Sequence, residues 1–359
     1  MKNRMPRILV ETIVKKALKS IKDSPERGIR NLIDLALQFS DGRFQKAFFA
    51  EAQTMLQNEN SAYYGLVRDA LTHIDTENLY TFGMNVGYNS CTVGARRIRE
   101  NEKNLSCNIP WTISVQIDTQ QFENNQQKYD DLILEGESLG IYTWMFFVSD
   151  QLEKTFSLIK KYPDSAFCVF CEMKDVTLTF LDEASMLKNL MIIIRYNEDA
   201  ADICAKLRAN KLLYSVWYQY GQQDTEVIIN GDLFRNTQKL SPIFTVLLPD
   251  KKCSKEVRQL VYSAVKQTRC DQAYRTIAWD LQGDNNLIDT IISDDACSVH
   301  FNKDGVLCNW DKKFENDHHG LHHSRLTDIL MNTYPKTEDT ALHWLYKNNI
   351  KMEQNSTSL

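Results

Sequence analysis

Residues 109–150, IPWTISVQIDTQQFENNQQKYDDLILEGESLGIYTWMFFVSD, decide how the chain is read. WTISVQI is an apolar run of strand length, and the polar loop DTQQFENN follows it. QQKYDDLILEGESLG carries apolar residues at helical spacing and ends on Gly140, a residue suited to the left-handed C-cap of a helix. IYTWMFFV is again continuously apolar. It is too short to span a bilayer and fits a strand buried on both faces. The order is strand, loop, helix, strand.

Downstream the alternation continues. SAFCVFC, MIIIRY, LLYSVWYQY, PIFTVLLP and RTIAWDL read as strands, and amphipathic helices separate them. Near-continuous apolar strands between helices predict an α/β fold with a parallel sheet, here a (β/α) barrel, full or partial, over residues 109–286. The functional end of such a barrel lies at the C-terminal ends of its strands. Beyond Asn286, CSVHFN and GVLCN flank Lys303-Asp304-Gly305, a hairpin signal. Residues 287–359 thus form a tail of hairpin, His-rich loop and helices, with Ser324 expected as the N-cap of RLTDILMN.

Upstream, residues 1–78 read as a small all-helical domain, in which Ser24-Pro25-Glu26 opens the second helix. Residues 79–108 are expected to be a connecting segment. It holds FGMNVGYNSC, whose Gly83, Asn85, Gly87 and Asn89 have the composition of a phosphate cradle but no strand–loop–helix frame to support one. Arg96, Arg97, Arg99 and Lys103 line one helix face. The interleaved Glu100 and Glu102 make intrahelical pairing the expected role of that face.

The net charge of -5 offers no basic footprint for nucleic acid. Nine cysteines lack framework spacing, and the N-terminal stretch is interrupted by Glu11, Lys15 and Lys16. Both features predict a cytoplasmic protein without a secretory leader, and no apolar run predicts a membrane span.

The order Cys107-Asn108-Ile109-Pro110-Trp111, strand, loop, helix ending Glu135-Gly136-Glu137-Ser138-Leu139-Gly140-Ile141-Tyr142, strand resembles the radical S-adenosylmethionine (SAM) enzymes. More narrowly, it resembles SPASM-like members with an N-terminal helical region. Ser298 to Gly305, ending at Cys308, is similar to that group's final hairpin. The resemblance implies a radical SAM type barrel holding a [4Fe–4S] cluster on a CxxxCxxC loop directly after the first strand, with SAM on the open iron. It also implies Gly-Gly-Glu-Pro after the second strand. The chain departs at both places. Asp118 to Asn125 contains no cysteine, and Val148-Ser149-Asp150-Gln151 replaces the SAM motif. Asp, Gln and Asn oxygens are hard ligands and poor substitutes for cluster thiolates. Cys168 and Cys171, three apart on one strand, should point to opposite faces. The expectation is a degenerate member with neither cluster nor SAM, and no other cofactor.

Asp118, Glu123, Asp150 and Glu172 fall at strand C-termini, where converging carboxylates serve acid–base work or a cation. Arg195, Asn197, Trp217, Tyr220, Trp279 and Asp280 are expected to line a ligand pocket at that rim. His318, His319, His322 and His323 are candidate metal ligands, against the plainer reading of a polar loop. Asp294, Asp295, Cys297 and Cys308 are too few for an auxiliary cluster. The reading favoured is a non-catalytic barrel (a pseudoenzyme) that binds a peptide, metabolite or partner protein, or regulates an active paralogue. The alternative is a radical SAM or other enzyme with altered cluster or metal ligation at the barrel mouth.

Overall fold

The computed structural model describes residues 7–38, 43–293, 295–308, 314 and 319–336. Helices α1 (Arg7–Asp23), α2 (Pro25–Gln38), α3 (Arg43–Met55) and α4 (Ala62–His73) come first. Next come α5 (Thr76–Met84), a widened π-helical stretch (Asn85–Gly94) and α6 (Ala95–Leu105). The alternating unit opens with β1 (Thr112–Ile117), α7 (Thr119–Asn124), α8 (Gln126–Leu139), β2 (Thr143–Val148), α9 (Phe156–Lys161) and β3 (Ala166–Cys171). It continues through α10 (Leu178–Ser185), β4 (Leu190–Arg195), α11 (Ala200–Ala209), β5 (Tyr214–Tyr220), α12 (Thr225–Ile229) and α13 (Asp232–Thr237). It ends with β6 (Phe244–Pro249), α14 (Lys255–Asp271), β7 (Ile277–Asp280) and α15 (Leu281–Ile292). The hairpin β8 (His300–Phe301) and β9 (Leu307–Cys308) and helix α16 (Leu326–Thr333) follow.

The strands form one sheet in the order β7-β6-β5-β4-β3-β2-β1-β8-β9, parallel except for the final pair. β7 and β9 are its two edges, so the expected barrel is partial, a half barrel. The C-terminal hairpin is not a separate appendage. β8 continues the sheet beside β1, pairing Ser114 with His300 and Val115 with Phe301. Side chains alternate across the strands. Ile113, Val115, Ile117, Trp144, Phe146, Phe167 and Val169 are buried on the outer face under the helices. Met145, Phe170, Met191, Ile193, Trp217 and Val246 pack on the inner face.

The segment expected to be a connection is helical and, together with residues 70–78 before it, closes the bottom of the half barrel. Ala70, Ile74 and Phe82 join the inner-face cluster. Three asparagines bind strand ends that have no ladder partner there. Asn78 Nδ2 donates to the carbonyls of Lys188 (2.9 Å) and Leu190 (3.1 Å), and its Oδ1 accepts from Leu213 N (3.1 Å). Asn85 donates to Pro163 O and Ser165 O at 2.8 and 2.9 Å, and Asn89 to Asp164 O at 2.7 Å. The Asn and Gly content that reads as a loop is there because carboxamides can pair with exposed strand ends. Asn78→Ala leaves buried backbone groups at β4 and β5 without partners. It is therefore expected to destabilise by about 3 kcal/mol, read as a lower urea midpoint at unchanged slope.

The basic face of α6 is taken up within the molecule. Arg96 pairs with Glu100 at 3.9 Å, as expected. Arg97 binds Glu137 O (3.3 Å) and the Tyr142 hydroxyl, and Arg99 binds Ile292 O (3.3 Å). Ser324 is not the cap of α16. Glu135 of α8 accepts from Leu326 N (2.9 Å) and Thr327 N (3.1 Å) instead. α15 also runs on past Asn286, to Ile292. Among the described residues no helix is long and apolar enough to cross a membrane.

Candidate functional site

The inner face toward the strand C-termini is built in rows by the register. Gln116, Phe147, Phe170 and Ile193 are successive cross-strand partners on β1 to β4. Arg195, Trp217, Val246 and Trp279 form the row nearest the mouth on β4 to β7. Phe147 stacks on Phe170 with centroids 4.3 Å apart. Phe170 meets Trp217 edge-on at 6.4 Å. The Arg195 guanidinium lies over the Trp217 ring at 5.2 Å, and its Nη1 is 3.2 Å from Glu172 Oε1. Trp217 Nε1 donates to Cys171 O at 3.4 Å, which fixes the indole plane. Trp217 is 8% exposed, whereas the Arg195 and Glu172 side chains are 45% and 39% exposed. An aromatic floor thus rises to a cation–carboxylate pair open to solvent. Such an arrangement suits a ligand with an apolar or aromatic body and polar ends.

The segment after β1 is not an open loop. Asp118 caps α7 by accepting from Gln121 N at 3.0 Å. Phe122 is 1% exposed and packs on Tyr129 at 5.0 Å. Glu123 pairs with Lys154 at 2.9 Å. Asp150 accepts from Gln151 N at 3.1 Å. Of the four carboxylates considered for chemistry, only Glu172 faces the aromatic floor, through Arg195; the structure does not bring the other three to it.

Arg195, Trp217 and Trp279 reach the inner face, but Tyr220 and Asp280 do not. They lie behind the sheet, where the Tyr220 hydroxyl donates to Asp280 Oδ2 at 3.2 Å and Tyr220 packs beneath α12 to α14. Burial pushes the Asp280 carboxyl up to about 6. Its other oxygen caps α15 by accepting from Gly283 N at 2.6 Å. The reason is strand parity, because neighbours in a strand face opposite ways. Asn197 is exposed and its side chain accepts from Asp199 N at 2.9 Å, within its own turn. Phe147, Phe170, Gln116 and His300 were missed. The same parity, counted back one residue from the strand ends Val148 and Cys171, would have found the aromatics.

Cys168 packs on the inner face and Cys171 on the outer, as the spacing predicts. Burial pushes the Cys168 thiol up to about 12 and Cys171 well above the ordinary range, so neither readily becomes a thiolate ligand. His318 and Asp294 lie outside the described residues. The His319 ring lies 5.2 Å from that of Phe314, and His323 is exposed. His322 sits against Gly305, where an added Cβ would lie 2.8 Å from Nε2, and burial lowers its pKa. Among the described residues no three His, Cys, Asp or Glu side chains converge on a metal position.

Neither a family model nor a curated protein matches the sequence. Solved structures do match the fold. Streptococcus suis SuiB, a radical SAM enzyme, bound to S-adenosylmethionine aligns with a TM-score of 0.50 and 7% identity, covering 67% of this chain and 68% of that one. SuiB bound to its precursor peptide SuiA gives a TM-score of 0.49 and 8% identity, covering 69% and 71% of the two chains. SuiB alone gives 0.48 and 8%, covering 68% and 71%. The first likeness shows the fold alone: the half barrel resembles that of SuiB.

Proposed function

We propose that this chain is a non-catalytic, radical-SAM-like half barrel that takes a peptide-like ligand at its mouth, acting as a binding module or as the regulatory partner of an active paralogue. The observation that carries this reading is the run Phe147–Phe170–Trp217–Arg195–Glu172, which passes without interruption from the buried floor to the open rim. A peptide supplies an apolar side chain for the rings. Its carbonyl or carboxylate groups suit Arg195, and its N–H groups suit Glu172. The absence of catalysis is inferred from the residues after β1 and β2. A capped, packed turn of hard oxygen side chains stands where the resemblance implies three thiolates. Val148-Ser149-Asp150-Gln151 stands where it implies the SAM contact.

Two measurements test the two halves of the reading. Protein purified without oxygen is assayed for iron and sulfide, and SAM is titrated into it calorimetrically. Sub-stoichiometric metal and no heat of binding are expected. Stoichiometric iron and sulfide would overturn the non-catalytic half. For the ligand, displayed random heptapeptides are selected on the wild-type chain and counted on Arg195→Ala and Trp217→Ala. A selected peptide is expected to bind Arg195→Ala about tenfold to a hundredfold more weakly, the value of a hydrogen bond to a charged group. Undiminished binding to both variants overturns the mouth as the site.

A further inference from the structure

The other end of the concave face, toward β8, has a different chemistry that the aromatic run does not explain. Met145, Ser114 and His300 form one row across β2, β1 and β8. Neighbouring strands are about 4.8 Å apart, so the Ser114 hydroxyl and the His300 ring stand side by side. Helix α15 reaches this row at Met145. Asn285 Nδ2 donates to Met145 Sδ at 3.5 Å, while Asn285 Oδ1 is buried without a hydrogen-bond partner. Ser114 and His300 are both half-buried, and neither side chain has a hydrogen-bond partner among the described residues. The row is continuous with the aromatic run, because the His300 ring meets Phe147 edge-on at 6.0 Å. Polar groups in such a position without partners are unusual and mark a place for a ligand or an ordered water.

We propose that Ser114, His300 and Asn285 form a polar notch that takes an uncharged amide of the ligand, either a carboxamide side chain or a backbone N–H and C=O pair. The inference rests on the mouth reading above and adds the ligand's second point of attachment. The free oxygen of Asn285 can only accept, so it calls for an N–H. The Ser114 hydroxyl and one nitrogen of a neutral imidazole can donate, so they call for a C=O. An amide offers both. A carboxylate has no proton for Asn285. The charge felt by His300 is that of Lys251, a cation, which disfavours an ammonium group beside it. Burial together with that cation holds the ring neutral, with its pKa lowered to about 4, so it acts as an uncharged partner.

The test compares two small probes on the intact chain by NMR titration, with N-15 labels on the imidazole and side-chain amides. 3-Phenylpropanamide presents a carboxamide beside an aromatic ring, and methyl 3-phenylpropanoate keeps the ring and the carbonyl but has no N–H. The amide is expected to bind about tenfold more tightly than the ester, since the ester leaves the Asn285 oxygen unpaired. That preference should vanish in Asn285→Leu, with ester binding unchanged, whereas Ser114→Ala should weaken amide and ester alike by removing a donor to the C=O they share. Asn285→Leu removes an orphaned polar atom, so folding is not put at risk. Equal binding of the two probes, abolished by Trp217→Ala, overturns the notch and leaves the mouth reading standing. No binding of either probe at millimolar concentration overturns both.

Discussion

Gly140→Ala is expected to remove about 3 to 4 kcal/mol of stability, although it adds one methyl group at the end of a helix. Gly140 sits at the C-cap of α8 with φ +111 and ψ 10, a conformation in which an L side chain is strained by about 1–2 kcal/mol. The added Cβ would also lie 2.6 Å from Gly94 O and 2.9 Å from both Arg97 Cβ and Ile98 N. Two of these atoms are backbone, so no side chain can rotate away. α6 cannot retreat easily either. Ile98 is 0% exposed, Arg99 holds Ile292 O, and Glu102 accepts from Ile109 N at 3.0 Å. Relieving such a contact by shifting packed backbone costs about 1–3 kcal/mol more. Gly87→Ala is the control. Nothing lies within 4 Å of its Cβ position and its φ is not positive, so the change should be neutral or gain about 0.5–1 kcal/mol. Equal urea midpoints for the two variants would show that close approach at Gly140 does not govern the junction.

Gly140 belongs to the stretch Glu135 to Tyr142, which carried the family resemblance, and the structure gives almost every residue of that stretch a scaffold task. Glu135 caps α16, and Glu137 accepts from the Ser165 hydroxyl at 2.7 Å. A Cβ at Gly136 would lie 2.5 Å from the Trp144 ring. The Tyr142 hydroxyl accepts from Arg97. A motif of this kind reports which helix packs on which strand. It can outlast any chemistry at the strand ends, because its residues do not touch the mouth. The parallel α/β sheet was therefore legible in the sequence, through apolar strands, helical spacing and a scaffold motif. The helical nature of residues 79–94 was not. Local propensity reads Gly83, Asn85, Gly87 and Asn89 as turn formers, and only the carbonyls of Pro163, Asp164 and Ser165, just before β3, make those asparagines favourable in a helix. The opening of the barrel was not legible either, since no local pattern says whether the edge strands β7 and β9 meet.

At the site, residue type was easier to read than direction. Arg195, Trp217 and Trp279 were found because charge and aromatic rings at strand ends stand out. Tyr220 and Asp280 looked equivalent, but one residue of parity sends them through the sheet. Ser114, His300 and Asn285 carry no spacing signal. Their proximity comes from β8 pairing with β1 and from the path of α15, both of which are long-range. The carboxylates at the strand ends were also ambiguous for a physical reason. Asp118 and Asp280 are N-caps, and a cap is placed where a strand gives way to a helix, which is where a catalytic carboxylate would stand as well.

His300 gives the second large effect, a loss of stability on mild acidification that belongs to one ring. Its pKa is lowered from an ordinary 6.5 to about 4, first by desolvation and then by Lys251. In the unfolded chain the same imidazole takes a proton near 6.5, whereas the folded chain resists it. Between those values the unfolded state binds more protons, so stability falls as pH falls. The contribution is fully present above 6.5 and is lost by about pH 4, with an upper bound of about 3 kcal/mol. The raw pH profile of the wild type will not display this cleanly. Asp280 has a raised pKa of about 6, so it titrates in the same range with the opposite sign. The folded state protonates it first, and acidification there stabilises. The quantity to measure is therefore a difference, the unfolding free energy of wild type minus that of His300→Gln, at pH 7 and again at pH 4.5. The glutamine keeps a neutral polar side chain in the row beside Ser114 but cannot titrate. The difference should shift against the wild type by about 2 kcal/mol over that interval. If it stays constant, the ring is charged or solvated in the folded state. An amide-binding notch that relies on a neutral imidazole would then lose its chemical basis, while the aromatic run and the Arg195–Glu172 rim would be untouched.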